Sequence, residues 1–349
     1  MDLADLQPQD DLTLLLMGPG FGESTLVGWP PDDWLVVDSF RRTHGRAEIH
    51  PVIDVLGLLH IEPAAVALTH PHQDHASGFA SLVERRRAGG LVGWVTDPRG
   101  NPQWTTPNAV MAERQGTTEH AIAAIERVWS EDPKARWSLH SAAPATTIGD
   151  ATIEVLSPRL ATIDELRTAS HPDLNLASSV LLVTWKNCRI LLGADLPNPG
   201  WDILQEQHGP LHFSDTSAFK IAHHGSHLAQ HSVALGKPPP RDRLSLATPY
   251  NKGKKVPSIE TGGDIDQLLN LTVRVFMTTS HGRLPQNSGN SDITRGALAS
   301  PTLRVGRQLV QLDPPTPPPE DCWIAATLGS DGVPRRIERG KSSVCIVAG

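Results

Sequence analysis

Thr69-His70-Pro71-His72-Gln73-Asp74-His75 places four ligand-type side chains, His70, His72, Asp74 and His75, within six consecutive positions. Neutral imidazole and carboxylate are ligands for zinc and similar borderline cations. In an extended loop His70 and His72 point to the same side, while Asp74 and His75 turn back after the bend, so the stretch can serve two neighbouring metals. The plain alternative is a polar loop with chance histidines, or one histidine capping the next helix. Even in a chain with 16 histidines, so dense a cluster weighs against it.

The flanks fix the setting. Ala65–Leu68 reads as a short apolar strand and Gly78–Arg87 as a helix, so the histidine loop follows a strand end, where α/β folds carry chemistry. Upstream, Leu12–Met17 is a mostly apolar run, and Thr25–Trp29 and Trp34–Asp38 flank Pro30-Pro31-Asp32-Asp33 as a hairpin ending on Asp38. Pro51–His60 has the three-and-four apolar spacing of an amphipathic helix. Downstream, Leu91–Thr96, Thr152–Leu156, Val180–Trp185, Arg189–Leu192, Phe219–Ala222, Leu244–Thr248 and Val273–Thr279 read as strands. Thr118–Trp129 and Gly263–Leu269 read as helices. This order predicts an α/β protein, a β-sandwich with helices outside, built from two half-domains.

Two further pieces end strands. Leu191-Leu192-Gly193-Ala194-Asp195 carries an acid just past an apolar run, a weak signal alone because such an Asp is usually a cap or turn residue. Lys220-Ile221-Ala222-His223-His224-Gly225-Ser226 carries paired histidines before a glycine, a moderate one. In this order the three pieces are specific. The chain resembles the metallo-β-lactamase superfamily, whose first metal motif is His-x-His-x-Asp-His. Within it the likeness is to the hydrolase domain of ComEC-type competence proteins. That likeness also rests on Gly20-Phe21-Gly22-Glu23-Ser24 before the hairpin, Val37-Asp38, and Asn175-x-x-Ser178 before a hydrophobic strand, and it spans about residues 12 to 280.

The resemblance implies an αββα sandwich with the metal site on its rim. It implies His70 and His72 at a first metal, Asp74 and His75 at a second, Asp195 bridging both, and His224, rather than His223, completing the second. It further implies Asp74, Lys220 and His223 in catalysis, the last two facing substrate with a proton or a positive charge. Asn175, Ser178 and Ser226 are expected at the substrate, and Asp38 behind a ligand imidazole, orienting it through its other nitrogen. Many members supply a further histidine to the first metal; of His120, His140 and His171, His171 is the candidate, and without it that site has an open position. Two departures stand out: His72 occupies a place where the ComEC-type loop often has Asp, and Ala194 replaces the glycine of the usual Thr-Gly-Asp segment.

The bland reading holds for the rest. His44, His50, His60, His208 and His212 are isolated surface or helix-end residues, and His227, His231 and His281 are supporting or solvent-facing. The tryptophans, Trp29, Trp34 and Trp185 among them, are core residues. Arg85-Arg86-Arg87 is a solvated helix end.

The chain has 349 residues, enough for one large domain or two smaller ones. Its 31 Lys and Arg against 38 Asp and Glu give a net charge of −7, which argues against sequence-independent grip on a nucleic-acid backbone but leaves room for a local basic groove. No apolar stretch approaches the roughly 20 residues of a membrane span. The acidic start, Met1-Asp2-Leu3-Ala4-Asp5, is unlike a secretory signal, and three cysteines without CxxC spacing point to the cytoplasm. Residues 1–313 are expected to form the hydrolase domain, and 314–349 a proline-rich spacer with a short C-terminal β appendage. Substrate choice is expected in Thr96–Thr118 and Leu160–Asp173, read as loops.

An oxygen- and nitrogen-liganded metal pair, two Zn2+ or alternatively Mn2+, suits phosphate esters. The expected activity is phosphodiester hydrolysis by hydroxide generated at the metals. The alternatives are a nuclease acting on DNA or RNA, a mono-iron oxygenase, and a non-catalytic module of a larger, multi-protein assembly. The expected partner is a phosphodiester-containing small molecule or nucleic acid.

Overall fold

The computed structural model describes residues 10–44, 47–95, 115–170, 172–209, 213, 215–235, 243–251, 255–258, 263–272, 274–278, 308–311, 322–339 and 343–347. The N-terminal half runs β1 (Leu12–Met17), β2 (Ser24–Trp29), β3 (Asp33–Val37), a small hairpin β4 and β5 (Arg42–His44 and Ala47–Ile49) and α1 (Pro51–Leu58). It continues through β6 (Ala65–Ala67), α2 (Gln73–Ala76), α3 (Phe79–Arg85), β7 (Leu91–Trp94), α4 (Gln115–Glu131) and β8 (Arg136–Ser138). The second half begins with β9 (Thr146–Ile148), β10 (Ala151–Val155), α5 (Leu160–Thr168), β11 (Leu181–Trp185), β12 (Cys188–Leu192) and α6 (Asn198–His208). It ends with β13 (Ala218–Lys220), α7 (Ser232–Leu235), β14 (Leu244–Ala247), α8 (Asp264–Leu269), β15 (Arg274–Met277), β16 (Gln308–Gln311), β17 (Trp323–Leu328), β18 (Pro334–Arg339) and β19 (Val344–Val347).

Two large sheets form, ordered β18-β17-β1-β2-β3-β6-β7-β8 and β16-β19-β15-β14-β13-β12-β11-β10-β9. Side-chain alternation explains how they stack. In β1, Leu12, Leu14 and Leu16 join Val183, Trp185, Ile190 and Leu192 of the other sheet in one buried cluster, while Leu15 and Met17 face the opposite way with α1, α3 and α4 residues such as Val52, Phe79 and Ile125. Leu182 and Leu191 turn outward to meet Trp201 and Leu204 of α6 and Leu268 of α8. Each sheet is therefore covered on both faces. This explains why Leu12–Met17 is a mostly apolar run, buried throughout, rather than an alternating one. The architecture is an αββα sandwich, and Trp29, Trp34 and Trp185 are buried in it.

Three details differ from the sequence reading. Leu160–Thr168 is helical, with Ile163 and Leu166 buried three residues apart, so the expected loop there is shorter. The α6 helix was given by no periodic signal strong enough to read. The C-terminal strands are built into the sheets rather than laid outside them: β17 pairs with all of β1, Leu12 to Leu328 through Met17 to Trp323, and β19 pairs with β15. Both pairings cover strands that would otherwise be edges, a reason for the chain to return so late. The loop 96–114, the proline-rich stretch, His171, His212 and His281 lie outside the described residues.

What positions the centre is parallel pairing. β3 and β6 run parallel with Val37 opposite Ala67, and β12, β13 and β14 run parallel with Leu192 opposite Lys220 and Lys220 opposite Leu246. The carboxyl ends of these strands, and the loops leaving them, therefore collect at one rim of each sheet.

Candidate metal centre

Asp38, Lys220 and Thr248 are the last or next residues of those parallel strands, Thr69 and Asp195 follow β6 and β12 within three residues, and the histidine loops lie beside them. Close approach there needs small residues. A Cβ on Gly193 would stand 2.9 Å from the Lys220 carbonyl oxygen and 3.0 Å from Ala222 Cβ. The backbone is strained at the rim: Asp38, Ala194, His223 and His224 have φ of 59°, 45°, 49° and 55°, a region that side chains other than glycine's rarely adopt.

Asp195 Oδ2 is the hub. It lies 3.9 Å from His70 Nε2, 3.5 Å from His75 Nε2 and 3.4 Å from His224 Nε2. His70 Nε2 is 3.1 Å from His72 Nδ1, so His70, His72 and Asp195 converge as one donor group. Asp74 Oδ2 is 3.2 Å from His224 Nε2 and 3.8 Å from His75 Nε2, which makes Asp74, His75, His224 and Asp195 a second. The buried His75 Nε2 has no hydrogen-bond partner among the described residues, a cost with no return unless a cation is the partner. The donors are nitrogen and oxygen only, the set that divalent zinc or manganese accepts, so the residues present fit a metal pair.

The far side of each ring is fixed. His75 Nδ1 donates to Asp38 Oδ2 at 2.7 Å and His224 Nδ1 to the Thr248 carbonyl at 2.8 Å. His70 Nδ1 is 3.0 Å from Thr69 Oγ1, whose hydroxyl donates to the same Asp38 Oδ2 at 2.8 Å. With Nδ1 carrying a proton in all three rings, each Nε2 is turned to the centre. The expected role of Asp38 is thus matched by its contacts, and one carboxylate oxygen serves an imidazole from each donor group.

Glu23 is the residue that sequence reasoning left without a role. It is buried, forms an ion pair with Lys220 Nζ through Oε1, and accepts from Thr248 Oγ1 through Oε2. It also sits 3.8 Å from His75 Nδ1 and 3.5 Å from His224 Nδ1. Glu23, His75, Asp195 and His224 bring ligand-type atoms within 4.8 Å of one another. Glu23, however, approaches the two rings at Nδ1, whereas Asp195 approaches them at Nε2, so it stands on the other side of the rings from Asp195. The only hint in the sequence is an acid immediately before a strand in which every residue is buried.

Electrostatics express the same arrangement. Four buried carboxylates, Glu23, Asp38, Asp74 and Asp195, against one buried ammonium, Lys220, leave an excess of three negative charges when the imidazoles are neutral. Burial by itself pushes the His75 pKa down, but Asp195, Asp38, Asp74 and Glu23 together hold it well above the usual histidine value. His224 behaves alike: burial lowers it, and Asp195, Asp74 and Glu23 lift it to about 10. His70 is driven down by burial and by the neighbouring His75 and His72, which favours the neutral ligand form. For Asp195, burial raises the pKa, but His224 and His75 pull it well below the usual carboxylate value.

The other expected site residues are placed as follows. Lys220 is 1% exposed, its Nζ donating to the Ala194 carbonyl at 3.0 Å beside Glu23, so its ammonium is engaged inside the protein and not open to a substrate. Ser178 and Ser226 are likewise buried, at 0% and 2% exposure; Ser226 Oγ accepts from Leu228 N, capping a short turn. Both were expected at the substrate; their side chains are buried here, and the Ser178 hydroxyl has no hydrogen-bond partner among the described residues. Asn175 is partly exposed, with an Oδ1 unpartnered among the described residues, and His223 is partly exposed with an unpartnered Nδ1 and a pKa lowered chiefly by burial. His227 Nδ1 donates to Asp264 and His231 pairs with Asp202, both away from the donor groups. The Cys188 thiol, at the opposite end of β12 from Asp195, is raised to about 11, mainly by burial.

An αββα sandwich with imidazoles and carboxylates gathered at the strand ends defines a class of metal-binding proteins. The chain belongs to the metallo-beta-lactamase superfamily: the profile of that family matches residues 17–197, just over half of the chain. No curated protein sequence matches. Solved structures similar to it include the metallo-beta-lactamase fold protein YhfI from Bacillus subtilis, 14% identical over 60% of this chain and 70% of that one, TM-score 0.33. A diphosphatase of the PhnP family is 11% identical over 60% of this chain and 73% of its own, TM-score 0.32. CmlA, a diiron beta-hydroxylase from Streptomyces venezuelae, is 12% identical over 61% of this chain, which spans 34% of CmlA, TM-score 0.35. Among the described residues no helix is long and apolar enough to cross a membrane.

Proposed function

We propose that the protein is a dinuclear metal-dependent phosphodiesterase. His70, His72 and Asp195 would hold one cation, and Asp74, His75, His224 and Asp195 the other. When bound, such a pair supplies Lewis acidity and a water of lowered pKa. The observation that carries the reading is Asp195 Oδ2, one carboxylate oxygen within 3.9 Å of imidazoles from both donor groups. A hard, oxygen-bridged site favours phosphoryl oxygens over softer electrophiles.

The chain's own residues divide the remaining work. Asp74, beside His224, orients the attacking water as well as serving as a donor. His223, once protonated from solvent, passes that proton to the leaving oxygen through its unpartnered ring nitrogen, and Asn175 orients the substrate through its side-chain amide. The likeness to the ComEC-type hydrolase domain makes DNA or RNA one arm of the substrate class, small diesters the other.

The test is turnover by protein loaded with Zn2+ or Mn2+ against bis(p-nitrophenyl) phosphate, cyclic nucleotides, DNA and RNA, with metal content measured in parallel. Two metals per chain and hydrolysis of at least one diester, falling roughly 100-fold or more in Asp195→Ala and His224→Ala, is the expected result. Two bound metals with no diester cleaved would overturn it. So would one iron per chain with oxygen consumption, which would select an oxygenase.

A further inference from the structure

Lys220 and Glu23 are both buried and paired with each other, and Glu23 approaches His75 and His224 at Nδ1, not at the Nε2 atoms that meet Asp195. A buried ion pair is an expensive way to fill space, since apolar side chains of similar volume are often as stabilising or more so. What distinguishes this pair is what surrounds it. Lys220 Nζ lies 3.9 Å from Asp195 Oδ1, the oxygen opposite the one that faces the three imidazoles. Asp195 Oδ1 is buried and accepts no hydrogen bond among the described residues, and that ammonium stands beside it. Glu23 reaches behind both rings of the second donor group, and its backbone N–H donates to the Asp74 carbonyl at 3.1 Å. Glu23 enters from the loop between β1 and β2, Lys220 and Thr248 from the ends of β13 and β14, so the pair crosses from one sheet to the other under the centre.

We propose that Glu23 and Lys220 form a positioning pair that sets the orientation of the bridging Asp195 and of His75 and His224, and so determines affinity for the second cation. The ammonium draws Asp195 Oδ1 toward itself and leaves Oδ2 directed at the donor groups. Glu23, neutralised by Lys220, keeps the two Nδ1–H groups pointing backward without competing as a ligand. Neither residue contacts substrate in this account. The inference rests on the centre being a metal site and is independent of which ester is cleaved.

The experiment uses the full chain, stripped with chelator, and Zn2+ alone as the probe. Wild type, Glu23→Gln, Lys220→Met and the double variant Glu23→Met/Lys220→Met are compared by zinc competition against a chromophoric chelator. Melting without metal and the visible spectrum with Co2+ are recorded alongside. The single variants are expected to lose melting temperature, because each leaves a buried partner unpaired, whereas the double variant recovers it. Zinc affinity at the second site is nevertheless expected to remain roughly 10- to 100-fold weaker in the double variant, the usual effect of losing a residue behind a ligand, with an altered Co2+ spectrum. A folded double variant that binds two zinc ions as wild type does would overturn the proposal and make the pair a packing element only. If the double variant does not fold, unchanged zinc affinity in the near-isosteric Glu23→Gln overturns it equally. A wild-type chain that binds no zinc would instead remove the metal reading itself.

Discussion

At the scale of single residues, the centre depends on groups that never touch its focus. Asp38 Oδ2 accepts from His75 directly and from His70 by way of Thr69, so both donor groups take their tautomer from one carboxylate. Burial raises its pKa above the usual carboxylate value, against the lowering pull of His75, which means that its charge is held at a cost by these contacts. Asp38→Asn keeps the shape, and asparagine tolerates the left-handed backbone at φ 59°. The expected outcome is therefore a metal defect more than a folding one: zinc affinity down by roughly 10- to 100-fold at both sites, read by chelator competition, with the metal-free melting temperature little changed. The motif histidines could be read from spacing. Glu23 could not, because its importance comes from Lys220 and Thr248, residues about two hundred positions away that only folding brings to it.

At the scale of elements, β17 is the informative strand. It pairs with β1 over the whole length of that strand and contributes Ile324, Ala326 and Leu328 to the core between the sheets and Trp323 and Ala325 to the core beneath the helices. A chain cut after residue 313 would leave β1 as an exposed, mostly apolar edge and remove β19 from β15. That truncation is expected to be insoluble or to melt far below the full chain, as measured by circular dichroism and gel filtration. A soluble, cooperatively melting fragment 1–313 would show that the C-terminal strands are dispensable. The hairpin β2–β3, the α4 helix and the parallel strands other than β8 (Arg136–Ser138) were legible because their apolar periods are local. The placement of β17 was not, since six apolar-leaning residues specify a strand but not its neighbour.

At the scale of the molecule, the centre is also a clasp. Its donors come from both sheets, His70, His72, Asp74 and His75 following β6 and Asp195 and His224 following β12 and β13. A ligand that binds the folded chain alone stabilises it by about 2.7 kcal/mol at 100 times its dissociation constant. Adding Zn2+ to stripped protein is therefore expected to raise the melting temperature by several degrees and chelator to reverse it, with Asp195→Ala blunting the shift. An unchanged melting curve across that titration would mean that the two sheets are not joined through the metals.

The sequence alone determined the chemistry on offer, because ligand type is a property of the side chain and the spacing His70, His72, Asp74, His75 puts four donors in one short loop. It also determined the layered character of the fold, because apolar period decides which faces of a strand or helix are buried. Tertiary structure alone decided which of the offered groups face the centre. Lys220, Ser178 and Ser226 sit in or beside the right motifs, yet packing buries all three, and Glu23 reaches the Nδ1 side of His75 and His224 from the other sheet. Exposure and long-range pairing are properties of the packed whole, set by contacts between residues that no local pattern connects.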